Sequence, residues 1–151
     1  FNLKKPVDKE ENYYISNPKE ENKTQCVIFV FDSSKPINAD VKYLQDMEKI
    51  SRELFKQGIP RIAVLTKVDE LCSFVRDDIS YIYHSKPVRD KIQALSEIMG
   101  LPISHIHPLK NYTHEQFTDD MKDIPILIAL KRAFDFANDY LEQLMAGGKL
   151  S

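Results

Sequence analysis

Two runs along the chain are apolar without alternation: Cys26-Val-Ile-Phe-Val-Phe31 and Ile62-Ala-Val-Leu65. A short continuous apolar run reads as a strand covered on both faces, the signature of a parallel sheet packed between helices. The segment between them repeats at helical spacing from Asp40 to Gln57. Leu44, Met47, Leu54 and Phe55 fall on one side and Lys42, Gln45, Lys49, Arg52, Glu53 and Lys56 on the other. Asn38 or Asp40 can cap that helix, Gly58 stops it and Pro60 follows. After the second strand, Leu71, Phe74 and Val75 suggest a short helical turn. Asp77-Asp78 opens a second short segment carrying Ile79, Ile82 and Tyr83. A helix then begins at Lys86-Pro87, buries Val88, Ile92, Leu95 and Met99, and ends at Gly100. A weaker strand is predicted over Leu101 to Pro108 with Ile103 and Ile106 as anchors. A polar loop runs from Lys110 to Asp123. A last helix runs from about Ile124 to Leu144, its stripe formed by Ile126, Leu127, Leu130, Phe134, Ala137, Leu141 and Leu144.

Strand, helix, strand, helix, strand, helix is an α/β order, and parallel neighbours demand right-handed helical crossovers. The expectation is a three-stranded, partly wound sheet over residues 26–145. A polar connector over 1–25, broken only by Tyr13-Tyr14-Ile15, precedes it, and a disordered tail over 146–151 follows.

The second strand runs straight into Thr66-Lys67-Val68-Asp69. Ligands of open α/β sheets bind just beyond the carboxyl ends of the strands, and this tetrapeptide has the form of the guanine-reading motif of GTP-binding domains. An ionised Asp69 can accept from the two adjacent N–H groups on one edge of guanine, a pair that adenine lacks. The Lys67 stem can lie along the base plane, and Thr66 can tie the loop to a neighbouring phosphate-binding segment where one exists. Such a tetrapeptide arises by chance in about one chain in twenty of this length. Its place directly after a covered strand gives it weight.

Composition narrows the class. The chain has 151 residues, 42% hydrophobic and 29% charged, with a net charge of −2. This suits one domain with a real core and carries no nucleic-acid footprint. No apolar run approaches a membrane span. The chain opens on Phe1 without a signal peptide and reads as a piece of a longer protein. Cys26 and Cys72 form no spaced metal or redox motif, and a reducing intracellular setting is the default. Cys26 reads as a small core residue.

Taken together, several stretches resemble one family. They are Cys26-Val-Ile-Phe-Val-Phe-Asp-Ser-Ser34, Ile50-Ser-Arg-Glu-Leu-Phe-Lys-Gln-Gly58, Ala63-Val-Leu-Thr-Lys-Val-Asp69, Lys86-Pro-Val-Arg-Asp-Lys91, Lys110-Asn-Tyr112 and Asp123-Ile-Pro-Ile-Leu-Ile-Ala-Leu-Lys-Arg132. The chain is similar over nearly its whole length to the interferon-induced protein 44 family, including its 44-like branch. The resemblance implies the carboxyl-terminal half of a Ras-like GTPase domain, a partial P-loop-GTPase-like (Rossmann-like) three-layer fold. It implies a cytoplasmic protein of antiviral and immune responses that takes GTP or GDP, with Mg²⁺ held only in the full-length protein. Thr66, Lys67 and Asp69 are then the base-reading loop. Lys110 and Asn111 stand where such domains place a second base-contacting loop, usually Ser-Ala-Lys. Leu109-Lys110-Asn111 departs from that pattern.

Phosphate handling is missing from the segment. Its four glycines, Gly58, Gly100, Gly147 and Gly148, include none in a GxxxxGK[ST] frame. Alone, it supplies base recognition and no hydrolysis. In the fold it resembles, the Cys26–Phe31 strand is interior. Here its free edge is expected to be covered by the upstream half of the same domain or by a partner. Two other classes fit parts of the sequence. A degenerate, non-catalytic interaction module fits the unusual Leu-Lys-Asn loop. A phosphoacceptor receiver fits Asp32, Thr66 and Lys110, each at or just after a strand end, but lacks the acidic pair after its first strand. His105 and His107, two apart on the third strand, would share a face without a third ligand. His84 and His114 read as surface residues. Asp77-Asp78, Asp119-Asp120 and Asp123 suit helix starts, and Tyr112 reads as core or as support beneath the second loop.

Overall fold

The computed structural model describes residues 9–12, 14–19 and 22–147. The stretches expected to form part of the connector (1–8, Tyr13, Glu20 and Glu21) and of the tail (148–151) lie outside the described residues. Within 9–12 and 14–19 the connector forms turns and bends, with no strand or α-helix.

Three parallel strands, β1 (Val27–Asp32), β2 (Arg61–Thr66) and β3 (Ile106–Pro108), lie in the order β1-β2-β3. Their register aligns Phe29 with Ala63 and Ile106, and Val30 with Val64 and His107. Strand residues alternate between faces, so each aligned trio shares one. Helices α1 (Val41–Lys56) and α4 (Lys86–Met99) cover the first face, and α5 (Asp120–Ala146) covers part of the second. The expected three-layer α/β architecture with parallel strands alternating with helices is present.

The first face carries the main core. Phe29, Phe31, Ala63, Leu65 and Ile106 pack against Val88, Ile92, Leu95 and Met99 of α4, with Leu44, Met47 and Leu54 of α1 at its margin. All four residues predicted for the buried stripe of α4 are inside. Ser85 caps that helix, Pro87 stands in its first turn, and Gly100 ends it at φ +59°. Ser51 at the centre of α1 is buried and donates from Oγ to the Met99 carbonyl at 2.8 Å, tying the two helices. Asp40 caps α1 by accepting from the Tyr43 N–H at 2.9 Å. Two short helices follow β2, α2 (Val68–Leu71) and α3 (Ser73–Asp77), and then a 3-10 turn over Ile79–Tyr83. They bury Val68, Val75, Ile79 and Ile82 at the carboxyl-side rim of that core.

Four expectations need correction. Phe55 is not in the core. It is 71% exposed, with the Arg61 guanidinium 5.0 Å from its ring centroid. The third strand is only three residues, because Ile103–His105 coil into a 3-10 turn that leaves Ile103 exposed. His105 therefore does not share a strand face with His107. Its ring meets that of Phe136 at 4.7 Å with the planes tilted by 58°, while His107 is buried on the α5 side. No group of three or more His, Cys, Asp or Glu among the described residues is placed to hold a metal. Finally, α5 turns Lys122, Pro125, Ala129 and Ala133 inward, leaving Leu127, Leu130 and Phe134 exposed. Lys122 is tolerated inside because its ammonium donates to Glu115 and lies 5.0 Å from the Tyr112 ring. The same carboxylate is held well below its usual range by that ammonium.

β1 pairs only with β2 among the described residues, so it forms an edge of the sheet. Cys26 lies just before it, half-buried, its thiol pushed up by burial.

Candidate functional site

Because the three strands are parallel, their carboxyl ends meet at one rim, where Asp32, Thr66 and Pro108 end β1, β2 and β3. The loops that follow are stitched together. The Ser33 N–H donates to the Thr66 carbonyl at 3.0 Å, and Thr66 Oγ1 donates back to the Phe31 carbonyl at 3.1 Å. Among the described residues Thr66 thus ties its loop to the end of β1, rather than to the phosphate-binding segment expected.

Lys67 adopts φ +58°, the only non-glycine among the described residues in the left-handed region. It turns the chain out of β2 and into α2 without a side-chain cap. Its ammonium donates to Asp32 Oδ2 at 2.8 Å. The Asp32 carboxylate also accepts on Oδ1 from the Ser34 N–H (3.0 Å) and Ser34 Oγ (2.6 Å). The Lys67 ammonium, aided by Ser34, holds the Asp32 carboxyl down at about 2, and the Lys67 amine is raised in turn. Asp69 lies in the first turn of α2, and its carboxylate has no protein partner among the described residues.

The second loop arrives at the same end. The Leu109 N–H donates to the Leu65 carbonyl at 2.8 Å, and the Val68 N–H donates to the Leu109 carbonyl at 3.3 Å. Arg76 bridges the two loops: its Nε donates to the Asp69 carbonyl at 3.2 Å, and its own carbonyl accepts from Lys110 Nζ at 2.9 Å. Asn111 follows, exposed. Thr66, Lys67, Asp69, Lys110 and Asn111 therefore sit at one end of the sheet. Beyond the loop, Tyr112 accepts from the Asp119 N–H at 2.6 Å and donates to Asp123 Oδ1 at 2.8 Å, fastening the segment to the start of α5.

Sequence reasoning missed Arg76 and the role of Asp32 as the Lys67 partner. Nothing in a sequence flags an arginine seven residues beyond a motif as a bridge, and the tie between Asp32 and Lys67 exists only once β1 and β2 pair in register. A cavity of about 320 Å³ opens at this rim on the outer side of β1, lined by Asp32, Lys35, Pro36, Tyr43 and neighbours. Neither Asp69 nor Lys110 lines it. Chemically, the rim offers the Asp69 carboxylate, without a protein partner among the described residues, and a second loop linked to it through Arg76. It offers no glycine-rich cradle, since the described glycines Gly58, Gly100 and Gly147 all close helices.

No protein-family model matches the chain, and no solved structure matches it. Among curated proteins, it is 35% identical over 144 residues to mouse interferon-induced protein 44, covering 95% of this chain and 34% of that protein. Human interferon-induced protein 44-like (32%) and human interferon-induced protein 44 (33%) align over the same 95% and over 32% of their own length. The chain spans about a third of the length of these relatives. Over that segment the chain is a homologue of the interferon-induced protein 44 and 44-like proteins.

Proposed function

We propose that this chain is the guanine-reading segment of a GTPase-like domain in an interferon-inducible immune-response protein. The observation that carries the reading is Thr66-Lys67-Val68-Asp69 at the carboxyl end of a buried parallel strand, with the Asp69 carboxylate unpaired and Arg76 linking its loop to Lys110. Asp69 would accept from the paired N–H groups of guanine. Lys67 would lie along the base, and Lys110 and Asn111 would border it from the second loop. GTP or GDP, with Mg²⁺ at the phosphates, requires parts from the rest of the protein, which acts in the cytoplasm.

The test is titration of the full-length protein with fluorescent GDP. Two charge-assisted hydrogen bonds are at stake, so Asp69→Ala should weaken GDP by about a hundredfold and leave ADP binding unchanged. Equal GDP affinity in the wild type and the variant removes the base-reading role.

The same reading requires the outer edge of β1 to be covered by upstream polypeptide of the same domain or by a partner. Val27–Phe31 amides should be protected from hydrogen exchange in the full-length protein, and free exchange throughout β1 overturns the cover. One observation favours a second reading, a non-catalytic interaction module: Ile28, Val30, Leu127, Leu130 and Phe134 all face solvent. In that case GDP fails to bind while β1 is still protected.

A further inference from the structure

The backbone carbonyl of Asp69 is held by Arg76 on the α3 side, whereas the Lys67 side chain is drawn to β1. Lys67 makes the turn in a backbone conformation that side-chain-bearing residues seldom adopt, and the turn has no side-chain cap. Among the described residues its ammonium donates to Asp32. Asp32 is itself immobilised: one oxygen takes both Ser34 donors and the other takes Lys67. An aspartate fixed on the first strand therefore sets where the ammonium of the second strand's loop lies.

We infer that Asp32 is a positioning residue for guanine recognition, acting through Lys67. The inference rests on the guanine reading above and adds to it a residue outside the tetrapeptide. A lysine stem has four methylene groups and many rotamers. Anchored at its far end, it presents one apolar edge to a base and keeps the turn that aims Asp69. Released, it is free to swing into solvent, and the ligand must order it on binding. Ser34 belongs to the same device, because it locks the carboxylate that locks the lysine.

The experiment is a double-mutant cycle in the full-length protein, read by fluorescent GDP titration and by thermal melting. Asp32→Asn keeps the size and the Ser34 contacts but gives up the ion pair. It should weaken GDP binding about tenfold, the loss expected for one charge-assisted hydrogen bond. In a Lys67→Ala background the same change should have no further effect. Asp32→Glu should recover part of the loss, and Ser34→Ala should give a smaller loss in the same direction with an unchanged melting temperature. Equal losses from Asp32→Asn with and without Lys67 overturn the inference, as does unchanged affinity while Asp69→Ala still weakens GDP binding. If Asp69→Ala has no effect, the guanine reading itself falls and takes the inference with it.

Discussion

The two faces of the sheet differ in how far this chain completes them. On the first, α1 and α4 close over Phe29, Phe31, Ala63, Leu65 and Ile106, and Leu95 and Met99 are fully buried. On the second, the buried cluster is only Val64, Leu109 and Ala129, with Ile126 against it. Ile28 is 40% and Val30 57% exposed on that face. The helix above them is apolar outward as well as inward, with Leu127 at 61% and Phe134 at 73% exposure. A helix that is apolar on several sides suits one packed on more than one side. The contrast teaches that local crossovers finish one core within this chain. Among the described residues the other core is left half built.

Substitutions can break or sharpen that contrast. The largest effect should come from the finished side: Leu95→Ala is expected to cost about 2–5 kcal/mol in denaturant unfolding. A cost near zero there would mean the α4 face is not a core. Next, Val30→Ala should cost under about 0.5 kcal/mol in the 151-residue chain but about 1–2 kcal/mol in the full-length protein, where a cover buries its methyl groups. Equal costs in the two settings would end the idea of a cover. Ser51→Ala removes the buried bond to the Met99 carbonyl and should cost about 1 kcal/mol, without changing GDP binding at the opposite end of the strands.

The smallest expected effect concerns acid. Burial, helped by the Arg132 charge, pushes the His107 imidazole below its usual 6.5. The unfolded chain therefore takes up the proton first as pH falls. Stability is complete above about 6.5 and declines below it until the folded imidazole also protonates. His107 Nε2 has no hydrogen-bond partner among the described residues, so an apolar replacement loses no bond there. His107→Leu should flatten that slope in unfolding measured between pH 7 and 5. An unchanged slope would move the acid sensitivity elsewhere.

Much of the frame was legible because its signals are local. β1 and β2 announce themselves as unbroken apolar runs, and α4 carries a Ser cap, an early Pro, a clean stripe and a terminal Gly. The third strand was overextended because Ile103 looks like an anchor, yet Pro102 leads into a 3-10 turn that turns it to solvent. The facing of α5 was misread for a related reason. Leu127, Leu130 and Phe134 make a good stripe, but the buried side carries the small Ala129 and Ala133 beside a paired Lys122, with Ala129 packed on Val64 of β2. Periodicity finds a stripe, but it does not say which of two stripes meets the sheet. At the rim, the tetrapeptide was visible as a motif. The ties that orient it, from Asp32, Ser34 and Arg76, lie seven to thirty-five residues away and depend on register.

One consequence of the Thr66 stitching reaches beyond the rim. The strand whose outer edge is unpaired among the described residues is also the strand to which the Thr66 hydroxyl and the Lys67 ammonium are fastened. An occupant of that edge and a nucleotide at the loop, as proposed above, would therefore grip the same backbone from two sides. If docking on one side tightens binding on the other, thermodynamic reciprocity requires the nucleotide to strengthen the docking by the same factor.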